Sequence, residues 1–168
     1  QEYIMTPKRV VESVLHDLEI PFEAYEHPPL PTIEEAKEVW KTIDATHCKN
    51  LFFRNHKGNR HYLVILDYRY PLDIHDLEKR LRQGKISFAS PRRMDKYLGV
   101  PAGSVSPFSI INDRDNHVHL FLDANLQEAE KISFHPNDNT WTFVIRMNDF
   151  IRFLDWSGNR YDFITLYN

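Results

Sequence analysis

The sequence predicts a single α+β domain in which a curled, largely antiparallel or mixed β-sheet, barrel-like in outline, is flanked by helices. Strand-like segments outnumber helical ones, and short turns join most of them. The 168 residues match the usual length of one domain, so we treat residues 1–168 as one unit. A hydrophobic content of 42%, with eleven phenylalanines, supplies a large core.

Five segments carry helix signals, in which a capping residue precedes apolar side chains at helical spacing. The predicted helices span 6–18, 32–40, 73–81, 90–98 and 149–156, and the capping residues are Thr6, Thr32, Asp73, Ser90 and Asn148. Thr32 and Glu35 have the spacing of a capping box. Pro91 stands at the first position of the fourth helix, and Gly99 ends it.

Strand candidates are short and rich in aromatic and β-branched residues. They span 22–26, 48–54, 61–67, 86–89, 108–111, 117–122, 131–135, 140–146 and 161–166. The segments 55–60, 113–116 and 137–139 consist mostly of turn-forming residues, so we expect hairpin turns there.

The segment from Gly103 to Pro107 is the most constrained stretch of the chain. Glycine permits close approach by a ligand, and proline fixes the backbone angle φ. We expect the N–H groups of Ser104, Val105 and Ser106 to remain free and to form a cradle for a developing oxyanion. A tight start to the following strand, with no role in chemistry, explains the same residues.

Lys49 and Asn50 stand near the start of a predicted strand. In an ideal strand Lys49 shares a face with the apolar Leu51 and Phe53, and Asn50 faces the other side. The Lys49 ammonium therefore lies either at a pocket mouth, where it binds a phosphate or carbonyl oxygen, or at an exposed edge. Both side chains serve one site only if a bulge interrupts the strand. His135, at a strand end, can act as acid, base or hydrogen-bond donor.

A cluster of cations lies on the two helices that precede the loop 103–107. The formal net charge of the chain is −3, so a polyanion must meet a local basic patch. A phosphate backbone that runs along this cluster is one interpretation, and a solvated helical face is the other. The members of the cluster are Lys79, Arg80, Arg82, Lys85, Arg92, Arg93 and Lys96.

Cys48 is the only cysteine, which excludes an intrachain disulfide and a thiolate metal cage. A small buried thiol is favoured over a nucleophile, because the sequence reveals no base beside it. No apolar run is long enough to cross a bilayer, and the N-terminus lacks the pattern of a signal peptide. We therefore expect a cytoplasmic protein without a membrane partner.

Six short motifs occur together in a fixed order. They are Glu26-His27-Pro28-Pro29, Thr32-Ile33-Glu34-Glu35-Ala36, Cys48-Lys49-Asn50-Leu51-Phe52-Phe53-Arg54, Gly103-Ser104-Val105-Ser106-Pro107, Ile111-Asn112-Asp113 and Ser133-Phe134-His135-Pro136. Their combination resembles the YbaK/ProX superfamily of free-standing aminoacyl-tRNA deacylases, and within it the PrdX or ProXp-ala group. That group is related to the editing domain of bacterial prolyl-tRNA synthetase. The resemblance covers Thr6 to about Leu154.

The resemblance implies a trans-editing hydrolase that removes alanine from mischarged alanyl-tRNA(Pro), without a metal, a cofactor or a covalent nucleophile. A water attacks the ester carbonyl, helped by the terminal ribose hydroxyl. Lys49 is implied at the terminal adenosine and its phosphate, Asn50 and His135 at the same end of the substrate, and residues 103–107 around the aminoacyl group. The implied partners are mischarged tRNA(Pro) and prolyl-tRNA synthetase, and not DNA.

A small apolar pocket that excludes proline by size would set the specificity, and Ile33, Phe52 and Ile65 are its candidate walls. This hypothesis requires the Lys49 ammonium and residues 103–107 to line one cavity that is just large enough for a methyl side chain.

The sequence departs from the pattern of the superfamily at a few positions near the loop and the last motif. These positions are Ser109, Asn137, Asp138 and Trp141. They leave the amino acid more open than the reaction. The alternatives are deacylation of cysteinyl- or seryl-tRNA, and a non-catalytic module of the same fold that binds tRNA or the synthetase.

Overall fold

The computed structural model describes residues 5–30 and 32–167, so residues 1–4, to which the prediction about a signal peptide applies, lie outside it. The helices are α1 (Pro7–Asp17), α2 (Ile33–Trp40), α3 (Ile74–Leu81), α4 (Pro91–Leu98) and α5 (Met147–Ser157). The strands are β1 (Glu23–Glu26), β2 (Thr46–Asn55), β3 (His61–Asp67), β4 (Ile86–Phe88), β5 (His119–Asp123), β6 (Lys131–Phe134), β7 (Trp141–Arg146) and β8 (Tyr161–Ile164). Short 3-10 helices span Ala102–Ser104, Pro107–Asn112 and Ala124–Glu128.

The strands form one eight-stranded mixed sheet, which confirms the predicted α+β class. Their order is β1-β7-β6-β2-β3-β5-β8, and β4 pairs with β2 beside this path. Four strand pairs are antiparallel and three are parallel. The order has two ends, β1 and β8, so within the described residues the sheet is open rather than a closed barrel.

The helices begin where local chemistry predicts. The side chains of Thr6, Thr32, Asp73 and Ser90 each accept a hydrogen bond from a backbone N–H in the first turn of their helices. The last helix differs, because it begins at Met147 with Arg146 as its N-cap, before the predicted cap Asn148.

The predicted strand over 108–111 is wrong. Residues Pro107–Asn112 form a 3-10 helix, because Ser106 and Ser109 make a reciprocal capping box. The Ser106 Oγ accepts from the Phe108 N–H, and the Ser109 Oγ accepts from the Ser106 N–H. The segment 113–116 is therefore a link into β5 and not a hairpin turn.

The sheet carries an apolar cluster on each face, because neighbouring side chains of β2 and β3 point to opposite sides. Phe52 and Ile65 belong to the first cluster, into which α1, α4 and α5 also pack. Phe53 and Leu66 belong to the second cluster, which α3 covers with Leu77 and Leu81. No helix in the described ranges is long and apolar enough to span a membrane.

The end of α4 sets the position of the loop that follows it. Gly99 has φ +66°, and a Cβ there would lie 3.0 Å from the Asn112 Nδ2, which donates a hydrogen bond to the Leu98 carbonyl. Asn112 ends the 3-10 helix that follows the loop, so this contact joins the two flanks of residues 103–107.

We expect Gly99→Ala to lower the free energy of unfolding by about 2 kcal/mol or more, through backbone strain and a clash with Asn112. Gly84→Ala is the matched control, because Gly84 has φ +81° with no atom within 4 Å of its Cβ position. The control should lose only about 1 kcal/mol. Urea unfolding of both variants measures the difference, and equal losses would contradict a role for Asn112.

Candidate active site

The candidate site lies where β2 separates from its neighbours on one edge. This edge pairs with β6 only at Thr46 and His47, and with β4 only from Phe53 onward. The opposite edge of β2 stays paired with β3 from Cys48 to Arg54. The middle of β2 is thus held on one side and opens into a gap on the other.

This gap contains a cavity of about 20 Å³, which is room for about one water molecule or a group of similar size. Its walls come from α2, β2, β6 and β7. The residues that line it are Trp40, Cys48, Asn50, Ser133, Phe134, His135 and Thr142. Asn50 and His135, which the resemblance implied at one end of the substrate, therefore meet in one cavity.

The Oδ1 atom of Asn50 is buried and has no hydrogen-bond partner within the described chain. A buried acceptor without a donor costs about 1–3 kcal/mol. Proteins rarely keep such an atom, and here it belongs to a side chain that lines a cavity. Asn50 therefore offers an unsatisfied acceptor to a small molecule or group that enters.

One ring nitrogen of His135 has no hydrogen-bond partner in the described part of the chain. Its Nδ1 lies 2.8 Å from the Trp141 carbonyl oxygen, which can only accept, so the proton of the neutral ring is on Nδ1. The Nε2 atom then carries a lone pair. Burial lowers the pKa of His135, so the ring is neutral at pH 7.

Two further histidines form hydrogen bonds with residues that line the cavity. The His47 Nε2 donates to the Ile43 carbonyl, so its Nδ1 accepts from the Ser133 hydroxyl, and Trp40 stacks on the ring at 5.0 Å. The Thr142 hydroxyl lies 2.8 Å from the His27 Nε2. The sequence does not identify Trp40 and Thr142 as site residues, because only the tertiary fold brings them to Asn50.

Lys49 does not join this cavity. Its ammonium donates to the Tyr70 carbonyl at 2.7 Å, on the face of the sheet opposite to Asn50. Burial, and to a lesser extent the nearby Lys37, lowers the pKa of Lys49. Because β2 contains no bulge between Cys48 and Arg54, Lys49 and Asn50 stay on opposite faces, and neither Lys49 nor the loop 103–107 lines the cavity at Asn50. That Lys49 and residues 103–107 share another cavity stays a prediction.

The loop 103–107 also lies outside the cavity walls. The Ser104 N–H donates to the Pro101 carbonyl, and the Ser106 N–H donates to the Ser109 Oγ. The prediction that all three N–H groups are free is therefore wrong for Ser104 and Ser106. Within the described chain, Val105 is the one of the three whose N–H has no hydrogen bond of good geometry.

The loop nevertheless connects to the cavity through the β6–β7 turn. The Ser109 Oγ donates to the Asn137 Oδ1 at 2.8 Å, and the Asn137 Nδ2 lies 3.4 Å from the Phe108 carbonyl. Asn137 follows His135 by two positions and has φ +60°. Ser109 and Asn137 are two of the positions that depart from the pattern of the superfamily, and the structure shows that they are partners.

The predicted pocket walls lie elsewhere. Phe52 and Ile65 are fully buried in the first apolar cluster, and Ile33 is exposed at the start of α2. None of them lines the cavity, whose aromatic walls are Trp40 and Phe134 instead. Burial raises the pKa of the Cys48 thiol well above its usual value, so Cys48 is not a ready thiolate nucleophile.

The predicted cation cluster is divided. Lys79 and Arg80 belong to α3, which packs on the second apolar cluster, whereas Arg92, Arg93 and Lys96 belong to α4, which packs on the first. Arg80 is also paired with Asp76. The cations that stand close together in the sequence are therefore split between the two faces of the sheet.

Comparison with known proteins identifies the fold. A solved structure described as a candidate trans-editing enzyme for prolyl-tRNA synthetase superimposes with a TM-score of 0.71 at 18% identity, covering 97% of this chain and 99% of the other. The model of the aminoacyl-tRNA editing domain matches residues 27–153. The chain thus has the fold of the aminoacyl-tRNA editing domains, and it belongs to that family.

Relatives of this chain carry names from prolyl-tRNA editing. The prolyl-tRNA editing protein ProX of Acetoanaerobium sticklandii is 37% identical, over 96% of this chain and 99% of its own length. Prolyl-tRNA synthetase associated domain-containing protein 1 of Mus musculus is 33% identical, over 89% of this chain and 90% of its own length. The resemblance stated from the sequence motifs is confirmed.

We expect the Ser109–Asn137 hydrogen bond to contribute about 0.5–3 kcal/mol of coupling free energy. A double-mutant cycle with Ser109→Ala and Asn137→Gly measures it by urea unfolding. Glycine is chosen because it tolerates the positive φ that Asn137 adopts. Additive effects of the two substitutions would show that the contact contributes nothing.

Proposed function

We propose that this protein is a trans-editing hydrolase that removes alanine from mischarged alanyl-tRNA(Pro) at the cavity that Asn50 and His135 line. The buried, unpartnered Oδ1 of Asn50 carries the proposal, because its side chain lines a space that holds about one water molecule or a group of similar size. Membership of the aminoacyl-tRNA editing family supports the substrate class, and the name of the ProX relative supports tRNA(Pro).

The reaction is hydrolysis of the ester between alanine and the terminal ribose. A water oxygen bonds to the carbonyl carbon, the bond from that carbon to the ribose oxygen breaks, and a proton from the water ends on the ribose oxygen. The neighbouring ribose hydroxyl relays this proton. No metal ion and no covalent enzyme intermediate takes part in the proposed step.

Asn50 and His135 orient the reacting groups in this proposal. The Asn50 Oδ1 accepts a hydrogen bond from the attacking water or from the α-ammonium of alanine. The neutral Nε2 of His135 accepts from the ribose hydroxyl. Lys49, which lies next to Asn50 in the chain but on the other face, is assigned to the terminal phosphate outside the cavity.

Size sets the specificity in this proposal. Trp40 and Phe134 are rigid walls of a space that accommodates a methyl side chain, and the larger ring of proline does not fit. Excluding a larger side chain is the easier direction of steric discrimination. Prolyl-tRNA(Pro), the correct product of the synthetase, is thus spared.

We expect purified protein to release alanine from alanyl-tRNA(Pro) and to leave prolyl-tRNA(Pro) intact. A panel that also contains cysteinyl- and seryl-tRNA, assayed for loss of labelled amino acid, identifies the substrate. Faster release of cysteine or serine would replace alanine as the substrate. Binding of tRNA without turnover of any ester would overturn catalysis in favour of a binding module.

We expect Asn50→Ala to lower kcat/KM by about 10- to 100-fold, because it removes a hydrogen bond made only to the reacting groups. Its free energy of unfolding should not fall, since the Oδ1 has no partner in the described chain. Thr142→Val is the matched control for stability, because it removes the hydrogen bond with His27 and should unfold more easily. Unchanged turnover in Asn50→Ala would refute the assigned role.

A further inference from the structure

A second cavity lies at the far end of β2, between the β2–β3 hairpin and the turn that precedes β4. Its volume is about 360 Å³. Its walls include Lys57 and Arg60 from the hairpin and Lys85 from the turn, with Asn59 and Gln83 beside them. We call it the hairpin groove. Of the seven cations predicted from the sequence to bind tRNA, Lys85 alone lines it.

The charge of the hairpin groove contrasts with that of the whole chain, whose formal net charge is −3. No carboxylate occurs among the described residues that line it. The segments 54–60 and 82–85 likewise contain five cations and neither aspartate nor glutamate. A local positive potential on an acidic protein marks a surface that attracts anions.

The three cations are available to a ligand. Lys57, Arg60 and Lys85 are exposed, and the side chain of each forms no hydrogen bond or ion pair with another described residue. Several other lysines and arginines in the sheet and helices, such as Lys8, Arg80 and Arg152, are paired with carboxylates. The groove thus concentrates unpaired charge.

Two arginine side chains stabilise the hairpin and neutralise the partial negative charge of its backbone carbonyl groups. Arg54 donates to the carbonyl of Asn55 at 3.2 Å and to that of His56 at 3.0 Å. Arg93 donates to the carbonyl of Gly58 at 3.0 Å. Carbonyl oxygens that would repel an anion therefore point at guanidinium groups, whose charges add to the field of the groove.

The chemistry of the walls favours nucleic acid over protein as the ligand. Interfaces between proteins need apolar or aromatic anchors at their centre. Tyr62, the aromatic residue of the groove, is 2% exposed and offers none. Lysine, arginine and side-chain amides around an open channel are the groups that contact phosphates and sugars.

We propose that the hairpin groove binds the phosphate backbone of RNA, and that it holds the body of the tRNA whose acylated end enters the cavity at Asn50. The proposal rests on the proposed function for the identity of the RNA. Asn50 in the cavity and Asn55 in the groove both lie on β2, about 17 Å apart at about 3.4 Å per residue. This distance spans several nucleotides, so the two sites contact different parts of one RNA.

The test compares two triple variants of the full chain. Lys57→Ala/Arg60→Ala/Lys85→Ala removes the cations of the groove, and Lys41→Ala/Arg114→Ala/Arg146→Ala removes the same charge from other surfaces. Binding of uncharged tRNA(Pro) is measured over a range of salt concentrations. We expect the groove variant to bind about tenfold more weakly or worse, and its slope of log affinity against log salt to be smaller by about 2–3. The control should retain the wild-type slope.

Equal loss in both variants, or wild-type binding by the groove variant, would overturn the proposal. A polyglutamate peptide is the comparison ligand. If the wild type binds it as tightly as it binds tRNA, and the groove variant loses both affinities equally, the groove is assigned to acidic proteins instead.

Hydrolysis of alanyl-adenosine, which is too short to reach the groove, separates the two proposals. We expect the groove variant to hydrolyse it as the wild type does. If the wild type hydrolyses no ester, the proposed function fails, and the binding data still decide whether the groove binds RNA.

Discussion

The uninterrupted pairing of β2 with β3 is the constraint on which the candidate site depends. It fixes the direction of every side chain from Cys48 to Arg54. The other edge of β2 belongs to β6 at one end and to β4 at the other, with an unpaired stretch between them. The cavity is therefore an opening within the sheet itself. Its walls are held by strands, which position side chains more precisely than surface loops do.

The polar groups around this opening differ in whether they already have a hydrogen-bond partner, and a group without one can form a stabilising hydrogen bond with a ligand. His27, His47 and His135 each have a hydrogen-bond partner that fixes at least one ring nitrogen. The Oδ1 of Asn50 has no partner among the described residues, although it is withdrawn from solvent. A ligand that donates to this atom gains the hydrogen bond without any further cost of removing the acceptor from water. The unsatisfied atom thus lies at the position that the proposed reaction uses.

Local signals in the sequence predict most of the fold but only part of the site. The caps Thr6, Asp73 and Ser90 and the strand His61–Asp67 are as predicted, because capping and alternation act over a few residues. The composition of 108–111 predicts a strand, because a buried apolar segment has the same composition in a strand and in a 3-10 helix. The opposite directions of Lys49 and Asn50 follow from strand periodicity alone. Whether a bulge reconciles them depends on the register with β3, which no local pattern reveals.

The basic helices α3 and α4 pack on opposite faces of the sheet. No local pattern predicts this, because the face that a helix covers depends on the whole topology. The contact between Ser109 and Asn137 is a second feature that no local pattern predicts. Each residue alone departs from the pattern of the superfamily and suggests an altered specificity. Joined by one hydrogen bond, they form a matched pair behind the loop, and neither lines the cavity. Under the proposed function, the choice of amino acid depends on the groups that do line it, such as Trp40, Asn50 and Phe134. In that proposal these walls leave room for a methyl group, and neither Ser109 nor Asn137 is one of them.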